Sequence, residues 1–426
     1  MNFEATINKI KNNQLISDSL WSLLGNVFGR GLALIAGIIV ARFLGKDIYG
    51  EYGAIRNTII TIGTFSTFGL GYTATKFIAE LRGNNCGNIK YFIRYANNIT
   101  LVFSGIMAIL LLIFAKEVSL YVFKVNSLEF PLRILSVLII FNAITNTQIG
   151  ILSGFGRFKE LAKINTIVGF ITFVLSVILT YLYAFNGALV ALLIAQILNC
   201  SLNFYYVNQE KSQADEGGIK ITYKEILNFS TPIALQEGTY AISSWVVMII
   251  LIKYSSFGEL GMYTVAVQWS SMVLFIPGIL RNVILSHLSL HNSNEKMQQK
   301  ILSQTIVINI LSTLVPAVIL FIFSNIVESS YGTTFSGVGY LISIAVFSTV
   351  FTSVSNVYAQ AYTAQGRNWL MFVLRTTRDV SIMLLFLFLV KKEIFHGALA
   401  LIITNITLTI FFLIVIIMFY KKKKND

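Results

Sequence analysis

The chain is written in apolar blocks of roughly 18 to 28 residues, each near the length of about 20 that a helix needs to cross a hydrocarbon core of roughly 30 Å. In order they cover 20–43, 51–78, 93–115, 132–153, 164–184, 188–207, 226–253, 261–285, 301–323, 338–362, 370–390 and 397–420. None shows the alternating polarity of a membrane β-strand, so the blocks read as helices. Composition enters as a check: 55% of the 426 residues are apolar and 12% are charged, against about 25% charged in a soluble globular chain. The expectation is an all-α integral membrane protein with about twelve transmembrane helices.

Met1 to Asp18 is polar, with Glu4, Lys9 and Lys11, and lacks the apolar core of a cleaved leader, so the first span is expected to stay in the mature chain. Of the two cysteines, Cys86 falls in a loop and Cys200 inside the sixth span. That leaves no disulfide framework and no metal cluster, and no cofactor is expected. The net charge of +13 invites a nucleic-acid reading, which its placement rejects. Lys9, Lys11, Arg82, Lys90, Arg94, Arg157, Lys159, Lys163, Arg367 and Lys421 to Lys424 gather on one side. The other side holds the sparser set Lys46, Lys116, Lys124, Lys253, Lys391 and Lys392. This positive-inside asymmetry calls for an even number of spans with both termini in the cytoplasm.

Arg42, Gly50 and Tyr52 recur at one constant offset as Lys253, Gly261 and Tyr263, and the Gly156-Arg157 turn recurs one residue off that offset as Gly366-Arg367. Six spans per half is even, so both halves enter the membrane in the same direction, as in carriers that rock one half against the other around a midplane site. The expected division is an N-terminal bundle over 1–207, a polar linker over 208–225 and a C-terminal bundle over 226–426 with a basic tail. Small residues at four-residue spacing in span one (Gly25, Gly29, Ala33, Gly37, Ala41, Gly45) predict a close helix contact. Pro232, Pro277 and Pro316 predict kinks in the spans that hold them.

Motifs for soluble chemistry are missing. No phosphate loop is present, and Gly69-Leu70-Gly71-Tyr72-Thr73-Ala74 sits at a membrane helix end with no strand before it. His287 and His291 share a helix face but have no third ligand. The chemistry is instead in the membrane, where each ionisable group costs on the order of 2.5 to 3.5 kcal/mol and demands a partner or an aqueous cavity. Arg30 lies mid-span in the first helix and Glu237 mid-span in the seventh. Arg56 and Arg281 lie about a turn inside the second and eighth. The eleventh span carries Arg375, Arg378 and Asp379, and a four-residue spacing predicts an Arg375–Asp379 pair that leaves Arg378 for a ligand. Bases outnumber acids, so the cavity is expected to take an anion. Glu237 and Asp379 are the candidates for ion coupling or charge pairing, and an Arg30–Glu237 ion pair is one arrangement open to them.

Val40-Ala41-Arg42-Phe43-Leu44-Gly45-Lys46-Asp47-Ile48-Tyr49-Gly50-Glu51-Tyr52-Gly53 resembles the polysaccharide flippases, O-antigen flippases among them, of the multidrug/oligosaccharidyl-lipid/polysaccharide (MOP) exporter superfamily. The likeness continues at Phe68-Gly69-Leu70-Gly71, Gly154-Phe155-Gly156-Arg157-Phe158, Phe229-Ser230-Thr231-Pro232 and Gly261-Met262-Tyr263. It implies two parallel six-helix bundles forming a V-shaped carrier, with the first and seventh helices facing a central cavity. It also implies an undecaprenyl-diphosphate-linked oligosaccharide as cargo, crossing a bacterial inner membrane from the cytoplasmic to the periplasmic leaflet, with polysaccharide polymerase machinery as a downstream partner. Arginine suits a diphosphate through planar bidentate hydrogen bonds. The placement of Arg30 and Arg281 resembles that of cavity arginines in flippases of lipid-linked peptidoglycan precursors, with Gly31 where those have an acidic neighbour. Two other readings stay open: a multidrug exporter for cations, which calls for more deep carboxylates, and a membrane-embedded glycosyltransferase or polymerase, which calls for a large external loop.

Overall fold

Long apolar runs free of strand alternation fold as helices here, and among the described residues no strand is present. The computed structural model describes residues 14–83, 89–213, 222–278, 295–365, 367–395 and 397–425. The helices are α1 Gln14–Thr67, α2 Leu70–Gly83, α3 Ile89–Glu117, α4 Glu129–Gly154, α5 Phe158–Gln213 and α6 Tyr223–Tyr254. They continue as α7 Phe257–Val273, α8 Glu295–Ile322, α9 Ser324–Tyr331, α10 Val338–Ala364, α11 Asn368–Lys391 and α12 Gly397–Asn425.

Eight stretches among the described residues are long and apolar enough to cross a membrane, and two are far too long for one crossing: Val27–Thr67 with 41 residues and Phe158–Ser212 with 55. At 1.5 Å per residue these would extend about 60 and 80 Å, so each makes two crossings about a break. The breaks are Gly45 in α1 (φ 73°, ψ 167°), where only glycine sits without strain, and Ala184 in α5 (φ 46°, ψ −126°). The 17-residue α7 and the charged α11 fall outside those eight stretches. One expectation changes. The second span does not run unbroken over 51–78: Phe68 and Gly69 both take positive φ, 47° and 68°, and α2 sets off in a new direction. The Phe68 ring stacks on Phe103 at 4.6 Å, which holds the non-glycine residue there. The helical backbone continues through Pro232 in α6 and Pro316 in α8.

The chain gathers into two compact units. One holds Ile55–Ala241 with the chain up to Phe43; the other holds Leu44–Ala54 with the chain from Ile242 onward. In the first, α4 is the central helix, and in the second α10: 56% and 61% of their apolar windows are buried, against 39% or less in the other candidate spans. Around α4, Leu70, Ile78, Phe92, Ile93, Ile151 and Leu152 form a core with at most 1% exposure. Around α10, Tyr362, Met371 and Ile416 join α10, α11 and α12.

The internal repeat has a physical counterpart in the second unit. A Cβ added to Gly50 would lie 1.8 Å from the Phe257 carbonyl oxygen, and one added to Gly261 would lie 2.2 Å from that of Lys46. Gly50 and Gly261 are repeat-related, and the same offset relates Lys46 to Phe257, so the contact is nearly two-fold symmetric. Backbone meets backbone, which is why both positions are glycine. Tyr49 beside it is 1% exposed and packs on Phe335, with its hydroxyl donating to Gln268 Oε1 at 3.3 Å. The turns after α4 and α10 match too: Arg157 N donates to Leu152 O and Arg367 N to Tyr362 O, both at 2.9 Å. Each is the six-to-one bond that closes a helix C-terminus.

Candidate functional site

Helix α11 brings Arg375, Arg378 and Asp379 into the second unit with a pairing that differs from the expected one. Arg378 donates from both Nε and Nη2 to one oxygen of Asp379, Oδ1, at 2.9 and 2.7 Å. Arg375 instead donates from Nη2 to Asn356 Oδ1 on α10 at 3.0 Å. The expected Arg375–Asp379 pair, with Arg378 left for a ligand, is therefore corrected: the guanidinium that meets the carboxylate is the adjacent one. Side-chain exposures of 18% for Arg378 and 11% for Asp379 explain the choice. A charge this withdrawn from water needs a partner within hydrogen-bond reach, and the long arginine side chain folds back to supply it. Arg378 and Asp379 thus form one ion pair, and Arg375 bonds a neutral amide on the neighbouring helix. Asn356 is the residue that sequence reasoning missed; an asparagine inside an apolar span was its only signal.

Arg30, Arg56 and Glu237 lie in the first unit. Arg30 and Arg56 are exposed on α1, and Glu237 is half-buried on α6. Gly29 packs against Asn165 and Gly169 of α5, so the ribbon makes a close helix contact at Gly29, and Arg30 stands beside it. Arg281, His287 and His291 lie outside the described residues. Among the described residues, no three His, Cys, Asp or Glu side chains gather into a set able to hold a metal ion.

The shared motifs, by contrast, prove to be packing devices. Thr73 and Ser230 join by a buried 2.7 Å hydrogen bond between α2 and α6, and the Lys76 ammonium sits 4.0 Å from the centroid of the Phe229 ring. Arg82 Nη1 donates to the Phe155 carbonyl oxygen, and Arg157 Nε meets Glu210 Oε1 at 2.7 Å. These motifs hold the first unit together at the face that carries its basic loops.

A family model described as polysaccharide biosynthesis protein matches residues 15–284, more than half of the chain. The chain belongs to this polysaccharide biosynthesis family. No curated protein matches it in sequence at a significant level. Among solved structures, this family member is similar to the inward-facing conformation of a multidrug resistance MATE family transporter of the MOP superfamily. The TM-score is 0.74 at 16% identity, over 93% of this chain and 95% of that one. The lipid II flippase MurJ in an inward closed conformation matches with a TM-score of 0.73 at 17% identity, over 94% and 87% of the two chains. A MOP superfamily transporter from Pyrococcus furiosus, described as having a binding pocket of reverse polarity, matches at 0.72 with 15% identity, over 95% of each chain. At these identities the likeness establishes the fold, which this chain shares with those transporters.

Proposed function

We propose that this chain is a flippase for lipid-linked oligosaccharides. The observation that carries the reading is the conjunction of a polysaccharide biosynthesis family with a transporter fold in a multi-pass membrane chain. A saccharide precursor made on one face of a membrane has to reach the other, and a lipid anchor lets its tail stay in the bilayer while the head group crosses. The finer reading takes the cargo as an undecaprenyl-diphosphate-linked O-antigen or capsule repeat unit, moved from the cytoplasmic to the periplasmic leaflet of a bacterial inner membrane. Both termini are cytoplasmic in this reading. Two bundles, 1–207 and 226–426 joined by 208–225, alternate in access.

Arg30, Arg56, Arg281 and Arg375 are the proposed diphosphate ligands, Arg378 joining them only where the diphosphate displaces its Asp379 partner, with Glu237 and Asp379 as coupling or counter-charge groups. The excess of arginines over carboxylates among these residues supports an anionic cargo. Deletion of the gene tests the reading: a lipid-linked oligosaccharide should accumulate on the cytoplasmic leaflet, and normal export of every surface polysaccharide in the deletion strain would refute it.

A further inference from the structure

The repeat is broken at one chemically telling place. In the first half Arg157, in the turn after α4, is neutralised at 2.7 Å by Glu210 near the end of α5. The offset that carries Arg157 onto Arg367 carries Glu210 onto Tyr420, near the end of α12. The second half has kept the arginine, in a turn closed by the same backbone bond, and exchanged the carboxylate for a phenol. Among the described residues Arg367 has no ion pair, and it is half-buried.

The Arg367 backbone is bonded to Tyr362, and Tyr362 belongs to a group of uncharged hydrogen-bonding side chains. Gln365 Nε2 donates to the Tyr420 hydroxyl at 3.3 Å. The Tyr420 ring lies 5.4 Å from that of Tyr358 and 5.6 Å from that of Tyr362. Tyr362 spends its hydroxyl on the Ile416 carbonyl at 2.9 Å and lies within electrostatic reach of Arg367. The hydroxyls of Tyr420 and Tyr358 are thus the phenolic donors of the cluster, and four lysines, Lys421 to Lys424, follow Tyr420 in sequence. A guanidinium, two phenols and a carboxamide, without a carboxylate among them, match a phosphate better than any cation or neutral ligand.

We propose that Arg367, Tyr358, Tyr420 and Gln365 form a recognition site for the phosphate headgroup of a lipid. The site lies at the junction of α10 and α11, apart from Arg375 and Arg378 further along α11. A basic residue serving only to orient the chain would be satisfied by any positive charge. A recognition site needs the planar fork and the absence of a competing carboxylate. The site rests on the flippase reading only for which lipid brings the phosphate.

The test uses the full chain in phosphatidylcholine nanodiscs, titrated with polyprenyl diphosphate and followed by native mass spectrometry of lipid adducts. Arg367→Gln should weaken binding at least tenfold and Arg367→Lys by less. Tyr420→Glu, which installs the first half's counter-ion and leaves every arginine in place, should match the Arg367→Gln loss. Arg157→Gln should bind as the wild type does. Phosphatidylglycerol that displaces the polyprenyl lipid at equal mole fraction would identify the occupant as bulk anionic lipid; failure to displace it would identify the cargo carrier. Either result supports a lipid-phosphate site. Wild-type affinity in both Arg367→Gln and Tyr420→Glu, with each variant monodisperse, would overturn the site and leave the flippase reading intact, because transport is measured separately.

Discussion

Asp379 offers one oxygen to two nitrogens of Arg378, and that local pairing sets what substitution does there. Asp379→Asn strands a withdrawn guanidinium, and breaking such a pair costs about 3 to 5 kcal/mol. Abundance and thermal stability should fall sharply. Adding Arg378→Gln to Asp379→Asn should restore much of both, because two neutral amides need no counter-charge. A double variant as unstable as the single one would contradict the pairing. Arg30 is expected to behave differently: Arg30→Ala should insert normally and lose transport, while Arg30→Lys keeps the charge, loses the planar fork and retains partial flipping. Loss of abundance in Arg30→Ala, rescued by Glu237→Gln, would assign Arg30 a structural role instead. The identity of the intramembrane charges was legible in the sequence because their cost makes them conspicuous. Their pairing was not. Helical spacing favours the four-residue neighbour, whereas the arginine side chain is long enough to reach the adjacent residue, and Arg375 found a neutral partner on another helix.

At the scale of elements, the Gly50–Gly261 contact makes a sharp expectation. Gly50→Ala or Gly261→Ala drives a methyl group into a carbonyl oxygen, and overpacking of this kind costs about 1 to 3 kcal/mol. Both variants should lower the melting temperature of the purified protein and slow transport, whereas Gly31→Ala, which meets nothing within 4 Å, should do neither. Equal melting temperatures for Gly50→Ala and Gly31→Ala would contradict the contact. Span positions followed from apolar length alone, and the repeated G-x-Y pattern was visible in the sequence. That the two copies pack on each other was not visible, since an offset relates positions without saying whether they touch. The break at Phe68-Gly69 escaped for a related reason: hydropathy continues across it, and the turn is carried by φ values and a ring stack that no hydropathy window registers.

For the whole molecule, the charge asymmetry between loops makes an orientation claim. Single cysteines in a cysteine-free background should label from the cytoplasm at Lys159 and from outside at Lys124 and Lys392; the reverse pattern would contradict the proposed orientation. The central claim is that lipid-linked saccharide crosses the bilayer through this chain, and reconstitution tests it most directly. Purified protein in liposomes carrying a fluorescent polyprenyl-diphosphate oligosaccharide is mixed with a membrane-impermeant quencher. The inner-leaflet fraction should become accessible in wild-type vesicles and stay protected in protein-free and Arg30→Ala vesicles. Protection in wild-type vesicles as complete as in protein-free ones, with the protein folded and correctly inserted, would contradict the account.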